Sequence, residues 1–190
     1  MMKKILVSQF ITFLSLSSML VGAPVALAED TECRETLGKI TIEGNVIVPD
    51  GASCSLDGTT VKGDVTVKSR ASLTVNGANI YGSIQSEGAN KIDINSGTRT
   101  GNNVLLRRGE EVAIDGATIT GDLQLEGNTG AVSVANSTII GNLQAKSNRD
   151  SGITISSNQI GNNLQCQDNN PPPTGGDNVA KQKEGQCVNL

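Results

Sequence analysis

Residues 117–128 read ATITGDLQLEGN, and residues 137–148 read STIIGNLQAKSN. The two lines agree at Thr, Ile, Gly, Leu, Gln and the closing Asn, 20 residues apart. A near-copy at a fixed distance marks a repeat architecture, and the pattern extends in both directions. The apolar residue after a recurring glycine returns as Val46, Val65, Ile84, Val104, Leu123, Leu143 and Leu164, in steps of 19 to 21 residues. Two places later stand Val48, Val67, Ser86, Leu106, Leu125, Ala145 and Cys166. A second pair of columns follows a turn: Cys54, Leu73, Ile92, Val112, Val132, Ile153, then Leu56, Val75, Ile94, Ile114, Val134, Ile155. A fifth column precedes the glycine: Ile42, Val61, Ile80, Arg99, Ile119, Ile139, Ile160.

Within each repeat the apolar residues alternate with polar ones in short runs. That is the period of a strand and not of a helix. The runs recur too quickly for a crossover helix to fit between them. The expected fold is therefore all-β: a single-domain parallel β-solenoid, a right-handed β-helix of about seven coils of 19–21 residues, with disulfide-capped ends. Each coil adds about 4.8 Å of rise, so seven make a rod about 30 Å long. The aliphatic columns stack inside it. The corners carry Asp57-Gly58, Asn76-Gly77, Asn95-Ser96-Gly97, Asp115-Gly116 and Asn136-Ser137. These residue types tolerate the left-handed conformation a sharp corner needs. One such side chain per corner reads as turn chemistry, and no set of six converging oxygens for calcium is visible.

The expected organisation is a signal peptide at 1–28, an N-terminal cap at 29–39, the β-helix at 40–166, and a C-terminal cap with a Pro-rich loop at 167–190. Lys3 and Lys4, an apolar stretch from Ile5, and Ala26-Leu27-Ala28 make the secretory pattern. A retained anchor is the competing reading, but Gly22 and Pro24 break the segment. All three Met and both Phe lie in the leader, which leaves Tyr81 as the one aromatic of residues 29–190. Without Lys3 and Lys4 the 15 basic residues become 13 against 19 acidic, a net −6. This balance argues against a nucleic-acid partner, because phosphate contacts need a basic surface. The expected location is secreted, extracellular or periplasmic, and not membrane-embedded once the signal is removed.

Cys33 and Cys54 are 21 residues apart, as are Cys166 and Cys187. Cys54 belongs to the first coil and Cys166 to the last, about 30 Å away. A disulfide needs Cα atoms within about 7 Å. The expected pairs are Cys33–Cys54 and Cys166–Cys187, one at each end, where a solenoid must cover its apolar cross-section. Pro171, Pro172 and Pro173 are expected to end the strand run. With no His and no CxxC, a metal or redox site is the weaker reading of these cysteines.

On its coil pattern over residues 40–166 the chain resembles bacterial secreted right-handed parallel β-helix proteins, the class that includes pectate-lyase-like enzymes. The closing IGNNLQC and the later NNPPPTGGDN and GQC are similar to the tail of small bacterial secreted proteins of unknown function. The wider class implies acidic polysaccharide as a substrate, but function does not follow from fold.

Glycoside hydrolysis needs two carboxylates at a set separation. Asp64 and Asp122, in the column after the glycine, fall three coils apart, on the order of 14 Å. Arg99 interrupts the isoleucine column, which reads as a distortion at Asn102-Asn103. Glu43, Lys62 and Tyr81 stack in consecutive coils, either as an acid, a base and a phenol or as a cross-strand ion pair beside an aromatic. Gln85, Gln124, Gln144 and Gln165 form an expected amide ladder, interrupted by Leu105. Thr98, Thr100, Thr118 and Thr120 are the two TxT coils of a threonine face that resembles ice-binding proteins. The surface candidates are thus Glu43, Lys62, Tyr81, Thr98, Thr100, Thr118 and Thr120, with no catalytic set, cofactor or metal expected. The leading expectation is a secreted, non-enzymatic structural or surface-interaction solenoid of unknown ligand. The alternatives are an acidic-polysaccharide binding or cleaving protein and an ice-binding protein. Cell-wall or extracellular polysaccharide and a surface protein are the partner classes left open.

Overall fold

Alternating side chains become 24 short strands, and every pairing between them is parallel. The computed structural model describes residues 29–190, so the expected signal peptide lies outside the described residues. Three sheets of nine, eight and seven strands run the length of the rod. Neighbours in each sheet are one coil apart in sequence, as in the register Leu123↔Leu143↔Leu164. The fold is an all-β parallel β-solenoid, with no helix among the described residues.

The aliphatic columns are the core. Val46, Val65, Ile84, Val104, Leu123, Leu143 and Leu164 are all fully buried, as are Leu56, Val75, Ile94, Val134 and Ile155. Each fully buried side chain of this kind contributes roughly 1.5–3 kcal/mol relative to exposure. The recurring glycine has a steric cause. A Cβ on Gly82 would run into Asp64 Oδ1 and the Gly63 carbonyl of the coil before, and Gly141 is crowded in the same way by Asp122 and Gly121.

The rod has about eight turns, one more than the expected seven. The terminal segments join the ladder. Thr31–Glu32 pairs with Val46–Val48, and Thr36–Leu37 pairs with Ser53–Asp57. At the other end Thr174–Gly176 pairs with Ile153–Ser156, and Gln182–Gly185 pairs with Asn163–Gln167. The three prolines therefore interrupt the strand run without ending it. Backbone pairing needs no apolar column, so polar terminal sequence can still satisfy an exposed strand edge. The disulfides Cys33–Cys54 and Cys166–Cys187 form as expected, with Cα–Cα separations of 5.5 and 5.2 Å. All four cysteines are buried, at the two ends of the apolar interior.

One coil departs from the expected register. Thr100 pairs with Ile80 and Ile119, while Arg99 pairs with Asn79 and Thr118. Thr100 therefore fills the interior place assigned to Arg99, and Arg99 points outward. The cause is the corner Asn95-Ser96-Gly97, one residue longer than Asn76-Gly77 or Asp115-Gly116. The extra residue sits before the strand and not at Asn102-Asn103. Thr98 moves inside with Thr100, and both are 1% exposed. Their hydroxyls donate to the carbonyls of Val75 and Asn102, each at 3.3 Å.

Two further interior columns sit at the corners. One holds Asn128, Asn148 and Asn169, and the other ends in Ser137, Asn158 and Asn178, all buried. Asn148 Oδ1 accepts the Asn128 backbone N–H, and Asn148 Nδ2 donates to the Leu125 carbonyl at 2.9 Å. Asn158 repeats the arrangement on Ser137 and Val134. Gln186 closes the first stack, accepting from Asn169 and donating back to its carbonyl. Buried amides tied on both sides fix the corners without leaving a polar atom unpaired.

Candidate functional site

The outer columns divide into side chains that hold the coils together and side chains left free for other contacts. Asp64 and Asp122 belong to the first group. Each accepts a backbone N–H from the next coil, from Ser83 and from Asn142, both at 2.7 Å. Asn45, Asn103 and Asn142 do the same for Asp64, Asp122 and Asn163. The amide ladder forms in part: Gln144 donates to Gln165, which donates to Glu184. Asp57, Asn76 and Asn95 form a third outer stack. Asn76 and Ser55 donate to the Asp57 carboxylate and hold its pKa below the ordinary value.

Most of the charge at the longer corner is also paired. Glu87, Arg107, Glu126 and Lys146 stand in one register, alternating in sign. Arg107 Nε lies 3.3 Å from Glu126, and Arg108 pairs with Glu87. A groove of about 410 Å³ runs beside them over Gln85 and Leu105. Lys91 pairs with Glu111 at 3.1 Å and with Asp93 at 3.4 Å, and these raise its pKa above the ordinary value.

The seven-stranded sheet differs. Its outward column reads Thr41, Thr60, Asn79, Arg99, Thr118, Thr138, Gln159. The parallel column reads Glu43, Lys62, Tyr81, Gly101, Thr120, Ile140, Gly161, because the shifted coil brings Gly101 to the place expected for Thr100. Glu43, Lys62, Tyr81 and Thr120 are exposed, Thr118 is half-buried, and Thr98 and Thr100 lie inside. The threonine face therefore keeps one full outward TxT, Thr118–Thr120. Lys62 does not pair with Glu43; its Nζ lies over the Tyr81 ring, 4.1 Å from the centroid.

Gly101 leaves a notch of about 260 Å³ lined by Asn79, Tyr81, Arg99, Thr118 and Thr120. It gathers a guanidinium, the one aromatic ring of residues 29–190 and the hydroxyls of two threonines on one open face. Tyr81 is 58% exposed. The sequence pointed to Tyr81 and Thr118–Thr120 but placed Arg99 in the wrong column. The corner of three residues at 95–97, against two in the coils on either side, was the available signal. No group of three or more His, Cys, Asp or Glu able to hold a metal occurs among the described residues.

The chain matches no family model, no curated protein and no solved structure.

Proposed function

We propose that the chain is a secreted, non-catalytic rod whose outer faces serve as a structural or surface-interaction module. The observation that carries this reading is the use of Asp64 and Asp122. These are the two carboxylates of the column that follows the recurring glycine. Each is tied to a backbone N–H of the neighbouring coil, and they stand three coils apart. Two buried disulfides, together with the secretory pattern of residues 1–28, support an oxidising location outside the cytoplasm. No helix among the described residues is long and apolar enough to cross a membrane. The test is binding of residues 29–190 to cell-wall and polysaccharide fractions, with product analysis of every polymer retained. Retention without product supports the reading, and turnover overturns it.

A second reading, binding of acidic polysaccharide, has one observation in its favour. Arg99 faces outward between the neutral residues Asn79 and Thr118, beside an exposed tyrosine.

A further inference from the structure

We infer that the outward face of the seven-stranded sheet docks a second copy of this chain, with the two rods antiparallel and Ile140 of each seated in the Gly101 notch of the other. The inference goes beyond the surface-interaction reading and stands whether or not a polymer is bound.

The exposed apolar side chains gather on this face. Among the described residues the large ones are Ile40, Tyr81, Ile140, Val179 and Val188. Tyr81 and Ile140 share one outward column of the sheet, Val179 extends the other through its bridge to Gln159, and Ile40 precedes the first strand. Val188 lies in the C-terminal turn, and the two larger sheets carry none. Apolar residues collected on one face mark an interaction surface. From Asn79 to Gly161 the two columns carry a single charge, Arg99. Depletion of charge is the compositional mark of an interface core.

The order along the column selects the partner. Tyr81 and Ile140 are each followed, one coil later, by a glycine, Gly101 and Gly161. A Cβ on either glycine would collide with the carbonyl oxygen of the residue before it in the column, so both gaps are built into the backbone. Thr120 stands midway. Gly101 and Ile140 lie one coil to either side of it, and Tyr81 and Gly161 lie two. A two-fold axis through Thr120, along the strands, reverses the second rod and sets each apolar side chain opposite a glycine. Ile140 enters the notch of about 260 Å³ at Gly101, and Tyr81 enters the gap at Gly161. The contact is self-complementary and closes, as a two-fold dimer requires. In the parallel column the same axis puts Asn79 opposite Gln159 and Arg99 opposite Thr138, so no like charges meet. Seven coils at about 4.8 Å each, by about four residues of strand width, give roughly 450 Å² per copy and about 900 Å² in all. That falls below the roughly 1,200 Å² at which standard interfaces begin, so the dimer is weak and forms with rising concentration.

Sedimentation velocity of the purified chain from about 5 to about 500 µM reads the association directly. The expected result is a reversible monomer–dimer equilibrium with a dissociation constant on the order of 100 µM. Ile140→Lys should weaken it about tenfold or more, since the burial of an apolar side chain is lost from both copies. Val188→Lys, a matching change at an exposed valine outside the sheet, should leave it unaltered. The register is read by cross-linking with a short bismaleimide at the concentration where half of the chain is dimeric. Thr120→Cys, on the axis, should be captured as a covalent dimer. Glu43→Cys, at the end of the same column, should not, because the two copies of this residue fall about 38 Å apart. A chain that stays monomeric, an unchanged Ile140→Lys, or cross-linking of Glu43→Cys as efficient as that of Thr120→Cys would each overturn the inference. A monomer retained on a cell-wall polymer would overturn the dimer and leave the surface-interaction reading standing.

Discussion

Asn148 Oδ1 accepts two hydrogen bonds from Asn128, one from its backbone N–H at 3.0 Å and one from its Nδ2 at 2.9 Å. The two residues sit on neighbouring coils in the buried interior of a corner. Each side chain thus satisfies the coil before it and is satisfied by the coil after it. Loss of one member strands polar groups on both neighbours.

Asn148→Ala is accordingly expected to destabilise the rod by about 3 kcal/mol, because two buried donors of Asn128 lose their acceptor. Gln124→Ala, on an outer column, should stay within about 0.5 kcal/mol. Urea unfolding followed by far-ultraviolet circular dichroism measures both.

The shifted coil makes a paired prediction. Thr100→Arg places a charge in the aliphatic column and should cost at least about 3 kcal/mol. Arg99→Thr changes an exposed side chain and should cost about 0.5 kcal/mol or less. Were Arg99 in the column instead, Thr100→Arg would fall on the surface and be tolerated, and Arg99→Thr would remove a buried charge and stabilise the rod. Thermal melts of the two variants decide the register.

The isoleucine column was legible because a repeat near 20 residues carries period-two alternation through every coil. The cysteine pairs were legible because 21 residues is one turn, which left one pairing within reach. The Arg99–Thr100 slip was not legible. An extra residue between Ile94 and Val104 can be placed before or after the strand, and only backbone pairing says which. The asparagine stacks were hidden for a different reason. Asn128, Asn148 and Asn169 look like any solvated turn asparagine until the corner is seen to face inward. The terminal strands were missed because Thr36–Leu37 and Gln182–Gly185 carry no repeat pattern and are recruited by unpaired edges. The site was legible only in part, since Gly101 creates the notch by the absence of a side chain.

Each disulfide closes a separation of 21 residues and should contribute about 3 kcal/mol in the chain-entropy model. Replacing Cys33 and Cys54 with Ala is expected to loosen the N-terminal turn first. Hydrogen exchange should speed up at Thr31–Glu32 and Thr36–Leu37 before it does so at the central coils.

The two shifted groups give opposite pH limits. Asp57 has a lowered pKa, so its contribution is present above its ordinary value of 3.8 and fades as pH falls through the lower folded value. Lys91 has a raised pKa, so its contribution is present below its ordinary value of 10.5 and fades as pH rises through the higher folded value. Both side chains are in contact with solvent, so each effect is small and weakened by salt. Asp57→Asn should make the acid limb of a stability–pH curve slightly shallower and leave the alkaline limb unchanged. Lys91→Gln should do the reverse.

The most direct test of the functional account is to incubate residues 29–190 with cell-wall and polysaccharide fractions, recover the bound protein, and measure polymer length before and after. The account predicts retention on a polymer whose length and chain ends are unchanged. Shortened polymer or new chain ends would contradict it, and would return the question to Lys62, Tyr81 and Arg99 as reacting groups.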